Sequence, residues 1–149
     1  MIIIRAADVS DSAAWLTLWN QYLAFYQQVI SPEVTAQTWH RFFVEGGHRC
    51  LLAIDTESDS PIGFATYLIH PSTWTLNGYC YLEDLFVDPS ARSQGAGRQL
   101  IDAVVAVATE AKIQRIYWHT HSDNVAARGL YDKVATKSEM IQYRKEVLY

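Results

Sequence analysis

YLEDLFVDPSARSQGAGRQLI, residues 81–101, decides the fold of this chain. The first seven residues form a largely apolar run that suits a strand, and DPSARSQGAG is a loop with one proline and two glycines. The stretch then opens a helix whose wide apolar face carries Leu100, Ile101, Val104, Val105 and Ala108. The first backbone N–H groups of such a helix have no partner within it, and the helix dipole favours an anion there. Gly95 and Gly97 carry no side chain, so a phosphate can come close to the backbone, and Arg92 and Arg98 add positive charge. A tight strand-to-helix turn would use the same two glycines, so both readings stand. No Gly-Lys-Ser/Thr ending of a nucleotide-binding P-loop and no G-x-G-x-x-G of a dinucleotide fold is present.

Working outward, the N-terminal side offers a β-branched strand at residues 1–5 and a helix from Asp8 or Ser10. That helix carries Trp15, Leu16, Trp19, Tyr22, Leu23 and Tyr26 at helical spacing. A second helix starts at Ser31-Pro32-Glu33 and is expected to end near Gly46-Gly47. Strands follow at residues 48–56, 61–70 and 79–87. Beyond the central stretch come a helix to residue 112, a strand at 115–121, a helix at 123–134 and a closing strand at 139–147. Alternating strands and helices imply parallel pairing in the second half, while the middle strands can meander antiparallel. The expected architecture is a single α/β domain, residues 1–149, with a mixed sheet.

Composition narrows the function. With 12 Lys+Arg against 16 Asp+Glu the net charge is −4, a poor match to nucleic-acid phosphates. No apolar run approaches the roughly 20 residues of a membrane span, and MIIIRAADVSD lacks the features of a secretory signal. Cys50 and Cys80 read as buried reduced thiols. A soluble cytoplasmic protein with no nucleic-acid or membrane partner is expected. His119 and His121 share a strand face, but no third ligand has metal-site spacing, so no metal is expected.

Glu83 and Asp84 interrupt an otherwise apolar strand. Burying a carboxylate without a partner is costly and raises its pKa, so a structural ion pair, a solvated edge or a functional role must account for them. Strand alternation sends the two to opposite faces, which leaves one of them for direct work in a site. In the functional reading Glu83 is a general base that removes a proton from a protonated amine.

Arg92-x-x-Gly95-x-Gly97, placed after a strand and opening a helix, resembles the acetyl-CoA pyrophosphate motif of the GNAT superfamily of N-acetyltransferases. WHTHSDNVAARGLYDKV, residues 118–134, resembles that family's strand–Asn–helix segment with its Leu-Tyr pair, and YLEDLFV resembles the corresponding strand of diamine acetyltransferases. The ending LYDKVATKSEMIQYRKEV is similar to small histone- and polyamine-type members that dimerise. Ala135-Thr136 departs from the family's usual Gly and aromatic residue.

The resemblance implies a GNAT-like fold: a central, mostly antiparallel sheet with a parallel splayed pair at the acetyl-CoA site, flanked by helices. It implies acetyl-CoA as co-substrate, its pyrophosphate on the amides of Ser93, Gln94, Gly95, Ala96, Gly97 and Arg98, with Arg92 also among the cofactor-binding residues. Backbone groups of Leu85, Phe86 and Val87 would bond the pantetheine and polarise the acetyl carbonyl. Asn124, beside Ala127, would hold the pantetheine arm, and the Tyr131 hydroxyl would protonate the departing thiolate. Gly129, inside that helix, is expected to mark close packing against cofactor or sheet. Trp19 and Tyr22, on the opening helix, are candidates to line the acceptor pocket together with Glu83 and Asp84. The acceptor is expected to be a small cationic amine: a diamine, a polyamine or a basic amino acid. A peptide amine is the alternative acceptor, and a non-catalytic acyl-CoA-binding protein on the same fold is the alternative function. The apolar closing strand adds the expectation of a homodimer.

Overall fold

β1 (Ile2–Ala6) is the β-branched start of the chain. It leads into a short 3-10 turn where Asp8 and Asp11 cap reciprocally: the Ser10 amide donates to Asp8 at 3.0 Å and the Asp8 amide to Asp11 at 2.7 Å. Arg5 grips Asp11 with two hydrogen bonds of 2.7 and 2.9 Å, which hold the Asp11 carboxyl below the usual carboxylate range. α1 (Ser12–Phe25) continues from this turn. α2 (Pro32–Arg41) has proline in its first turn and Ser31 as its cap, with the Ser31 hydroxyl accepting from the Val34 amide at 3.2 Å. The helix stops at Arg41, short of the expected glycines. The Arg49 guanidinium donates there to the Phe42 and Val44 carbonyls, which a helix end leaves unpaired.

This computed structural model describes all 149 residues, which form two compact units, Met1–His119 and Thr120–Tyr149. The first unit also contains β2 (Arg49–Asp55), β3 (Ser60–His70), β4 (Tyr79–Val87), α3 (Ala96–Glu110) and β5 (Ile116–Tyr117). The five strands lie in the order β1-β2-β3-β4-β5, with the first three pairs, up to β4, running antiparallel and β4–β5 parallel. This is the mixed sheet expected. β4 has the bounds read from the sequence, whereas the strand expected at 115–121 is paired only at Ile116 and Tyr117.

Alternation along β2 and β3 buries both faces of the sheet. Cys50, Leu52, Ile54 and Phe64 join Phe86 in one cluster with Trp15, Leu18, Trp19 and Phe42 from the α1–α2 side. Trp15 stacks on Trp19 at 5.2 Å and meets Trp39 and Phe42 at 5.1 and 5.5 Å. Leu51, Ala53 and Ala65, one residue out of phase, are buried on the other face, and α3 packs against these strands with Leu100, Ile101, Val104 and Ala108 buried. Both cysteines are free and buried, and burial pushes the Cys80 thiol up to about 11.

The second unit contains α4 (Val125–Val134), capped by Asn124, whose side chain accepts from the Ala127 amide at 3.4 Å. The strand expected at residues 139–147 is not formed. Met140, Ile141, Tyr143, Val147 and Leu148 are exposed, and a strand without a ladder partner leaves its amides to water.

Candidate active site

A β-bulge in β4 shapes the site. Thr66 lies opposite Asp84 but Tyr67 lies opposite Leu82, so Glu83 is an extra residue in the ladder. The bulge breaks the alternation that would part the two acids. Glu83 and Asp84 therefore gather on the α1 side of the sheet rather than on opposite faces. Both carboxylates act on the Tyr22 hydroxyl, Glu83 lies 3.5 Å from His48, and Asp84 feels the His48 charge. The sequence carries no glycine or other signal of the bulge, which is why periodicity alone misplaces Glu83.

The two acids sit in different surroundings. Asp84 is 9 % exposed, and the Tyr22 hydroxyl donates to its Oδ1 at 2.7 Å. Burial raises its pKa to about 6, with the Glu83 charge adding to the rise; Tyr22, Thr66 and His48 oppose it. The Thr66 hydroxyl favours the ionised form from across the ladder although it makes no hydrogen bond of good geometry. Desolvation and the Asp84 charge keep Tyr22 protonated by raising its pKa far above the usual value. The side chain of Glu83 is 42 % exposed, and its Oε1 lies 3.5 Å from His48 Nε2. A half-exposed carboxylate beside a buried one can accept a proton from an ammonium group while the buried one attracts the cation.

Tyr22 belongs to the site, its ring packed against Phe64 and Phe86 at 5.6 and 5.8 Å. Trp19 does not reach it directly. Its ring is buried behind Tyr22, and its Nε1 donates to Thr35 at 3.1 Å, so Trp19 ties α1 to α2 instead of lining a pocket. His48 and Thr66 were missed in the sequence because neither has a local signal; each gains meaning only from a partner on β4.

β5 accompanies β4 only at Cys80 and Tyr81. From Leu82 to Val87, which includes Leu85 and Phe86, one edge of β4 therefore has no neighbouring strand, and apart from the Val87 carbonyl, which accepts from Arg92, the backbone groups on that side have no strand partner. Beyond β4, Ser93 (φ 68°) and Gly95 (φ 84°) both take left-handed backbone and coil the loop into α3. Gly95 is the N-cap of α3, with no side chain capping that end and only Gln99 Nε2, at 4.0 Å, near the place of a Cβ. The amides of Ala96, Gly97 and Arg98 form the first turn, and the chain before it runs through Ser93 and Gln94. Arg92 is turned away from this turn. Its Nε donates to the Val87 carbonyl at 3.1 Å, and its guanidinium lies 5.1 and 5.6 Å from the Phe25 and Phe86 rings. On this geometry Arg92 braces the loop against β4 and α1.

In the second unit Asn124 and Tyr131 are two turns apart on α4, both partly buried. Asn124 caps the helix with its side-chain oxygen. Gly129 has no protein atom within 4 Å of a Cβ position.

The chain matches the model of the Acetyltransferase (GNAT) family over residues 14–135. It is 38 % identical over 149 residues to a D-amino-acid N-acetyltransferase of Saccharomyces cerevisiae, covering 97 % of this chain and 90 % of that one. Among solved structures, a ribosomal-protein-alanine N-acetyltransferase from Brucella melitensis biovar Abortus superposes with a TM-score of 0.84 at 17 % identity, covering 99 % of this chain and 100 % of that one. AAC(6')-Iy, in complex with the bisubstrate analogue CoA-S-monomethyl-acetylneamine, does so with a TM-score of 0.82 at 20 % identity, covering 99 % of each chain. At these identities the two structures share the fold.

The residues present suit a CoA thioester. The uncapped end of α3, with an open left-handed glycine before it, suits a pyrophosphate, and the unpaired edge of β4 offers backbone groups to an extended amide-bearing arm. The chain belongs to the GNAT acetyltransferase family and is an acetyl-CoA-dependent N-acetyltransferase.

Proposed function

We propose that this enzyme acetylates a small cationic amine by direct transfer, with a basic amino acid as the favoured acceptor. The observation that carries this is the bulge that sets Glu83 and Asp84 side by side with Tyr22. An amine with a pKa near that of lysine, about 10, arrives protonated and needs a carboxylate to attract it and a base to discharge it. Asp84 serves the first role and Glu83 the second. The amine nitrogen then attacks the thioester carbon, backbone N–H groups of the Leu85, Phe86 and Val87 stretch stabilise the oxyanion, and Tyr131 protonates the CoA sulfur. Acetyl-CoA supplies the acyl group, its pyrophosphate held by the amides of residues 93–98, with Asn124 and Ala127 alongside the pantetheine. Arg92 holds the loop for this purpose through Phe25 and Phe86.

An amino acid is favoured over a polyamine because the S. cerevisiae relative is a D-amino-acid N-acetyltransferase. The chain's net charge of −4 also draws cations. We propose in addition a homodimer, supported by the exposed apolar residues of EMIQYRKEVLY, a segment able to find a ladder partner in a second copy. Light scattering that finds only the 16.9 kDa monomer at every working concentration rejects it.

The deciding experiment follows thiol release from acetyl-CoA with D- and L-lysine, D- and L-arginine, neutral amino acids, diamines, polyamines and a peptide amine. Basic amino acids should give the highest kcat/KM, with KM rising as salt is added. Turnover with the peptide alone contradicts the assignment. Tyr131→Phe should lower kcat about 10²-fold with CoA affinity retained.

A further inference from the structure

His48 lies immediately before β2, and its imidazole reaches the bulge on β4 from a different element. Its Nε2 is shielded from solvent, makes no hydrogen bond of good geometry, and has Glu83 Oε1 at 3.5 Å. The three groups are graded in exposure, from Asp84 at 9 % through His48 at 25 % to Glu83 at 42 %. The charged groups facing His48 are both carboxylates of β4. Cys50 of β2 and Tyr22 of α1, which cluster around Asp84, are kept neutral by burial, and Arg49 is turned to the Phe42 and Val44 carbonyls.

We propose that His48 is the proton outlet of this active site, a positioning residue that accepts from Glu83 the proton Glu83 has taken from the acceptor. This rests on Glu83 being the base. The N–H bond of the ammonium breaks and its proton joins a Glu83 oxygen. The Glu83 O–H bond then breaks and the proton joins the Nε2 lone pair of His48, in the tautomer that carries hydrogen on Nδ1. Water takes the proton from the imidazolium, and both side chains return to their starting forms. A carboxylate is a far weaker base than the primary amine it discharges, so the transfer is uphill. Passing the proton on to an imidazole, an intrinsically stronger base than a carboxylate, recovers part of that cost and restores the carboxylate before the next acceptor arrives. The imidazolium forms 3.5 Å from the Glu83 carboxylate and feels the charge of Asp84, and both stabilise it. The 3.5 Å separation is within the range of catalytic contacts in substrate-free enzymes, which are often longer than in the substrate complex.

The test compares wild type, His48→Gln and His48→Ala by steady-state kinetics across pH, with acetyl-CoA and a turned-over amine. His48→Gln should lower kcat about tenfold, less than the roughly 10²–10⁴ of a group touching substrate, and move the acidic limb of the profile. Its KM for acetyl-CoA should stay at the wild-type value. Free imidazole should restore turnover in His48→Ala in proportion to its concentration, an effect that a purely structural role would not produce. A His48→Gln enzyme with wild-type kcat and acidic limb, or a loss in His48→Ala that imidazole leaves untouched, overturns the outlet. Glu83→Gln with undiminished turnover overturns instead the assignment of the base.

Discussion

Against α3 the sheet presents Leu51, Ala53 and Ala65, and α3 answers with Leu100, Ile101, Val104 and Ala108, an apolar contact throughout. Against α1 the same strands present Asp84 and Thr66 among Cys50, Phe64 and Phe86. The first face gains stability from burial, at about 25 cal/mol per Å² of apolar surface. The second gives part of that gain away by burying a carboxylate and two polar atoms, Thr66 Oγ1 and Trp15 Nε1, that lack hydrogen-bond partners. Chemistry is gathered on the face where burial is most costly, as expected of a site whose groups must be held in place before substrate arrives.

Substitutions on the two faces should therefore fail in opposite ways. Leu100→Ala, at a fully buried position on α3, should lower unfolding stability by about 3 kcal/mol and leave kcat within about twofold. A large fall in kcat at temperatures well below the transition would erase the distinction between the faces. Asp84→Asn should do the reverse. In the folded protein Asp84 holds its proton up to about pH 6, against an ordinary value of 3.8, so the native state binds more protons than the unfolded chain in that interval. Wild-type stability then falls as pH rises from about 4 to 6, by up to about 3 kcal/mol, and Asp84→Asn should lack this slope while turning over more slowly. Denaturant melts at both ends of the interval check this, and parallel curves for the two proteins contradict it. The smallest effect should lie off both faces. Gly95→Ala forces a side chain into left-handed backbone at the cap of α3, for about 1 kcal/mol of stability and a weaker Kd for CoA by calorimetry.

The apolar face was legible in the sequence and the polar face only partly so. Leu100, Ile101 and Val104 recur at helical spacing, and the residues of β4 alternate cleanly enough that Tyr79–Val87 is bounded as expected. Glu83 could be chosen as the base because acids in an apolar strand are conspicuous, yet its side of the sheet depends on a bulge defined by pairing with Thr66 and Tyr67. The stripe of Trp15, Trp19 and Tyr22 is visible as periodicity, but not that Trp19 turns to Thr35 while Tyr22 turns to Asp84. Arg92 shows the same gap: its charge is in the sequence, whereas its seat over Phe25 and Phe86 comes from the fold. The closing segment has strand-forming residues without a ladder partner within the chain, and propensity alone does not supply one.

The claim that the α1 face carries the proton chemistry is tested most directly by the kcat/KM profile of Glu83→Gln across pH, with CoA affinity measured on the same preparation. A loss of about 10²-fold with a flattened acidic limb and a Kd for CoA within about twofold of wild type is the predicted result. Wild-type kcat/KM with an unchanged acidic limb would contradict it.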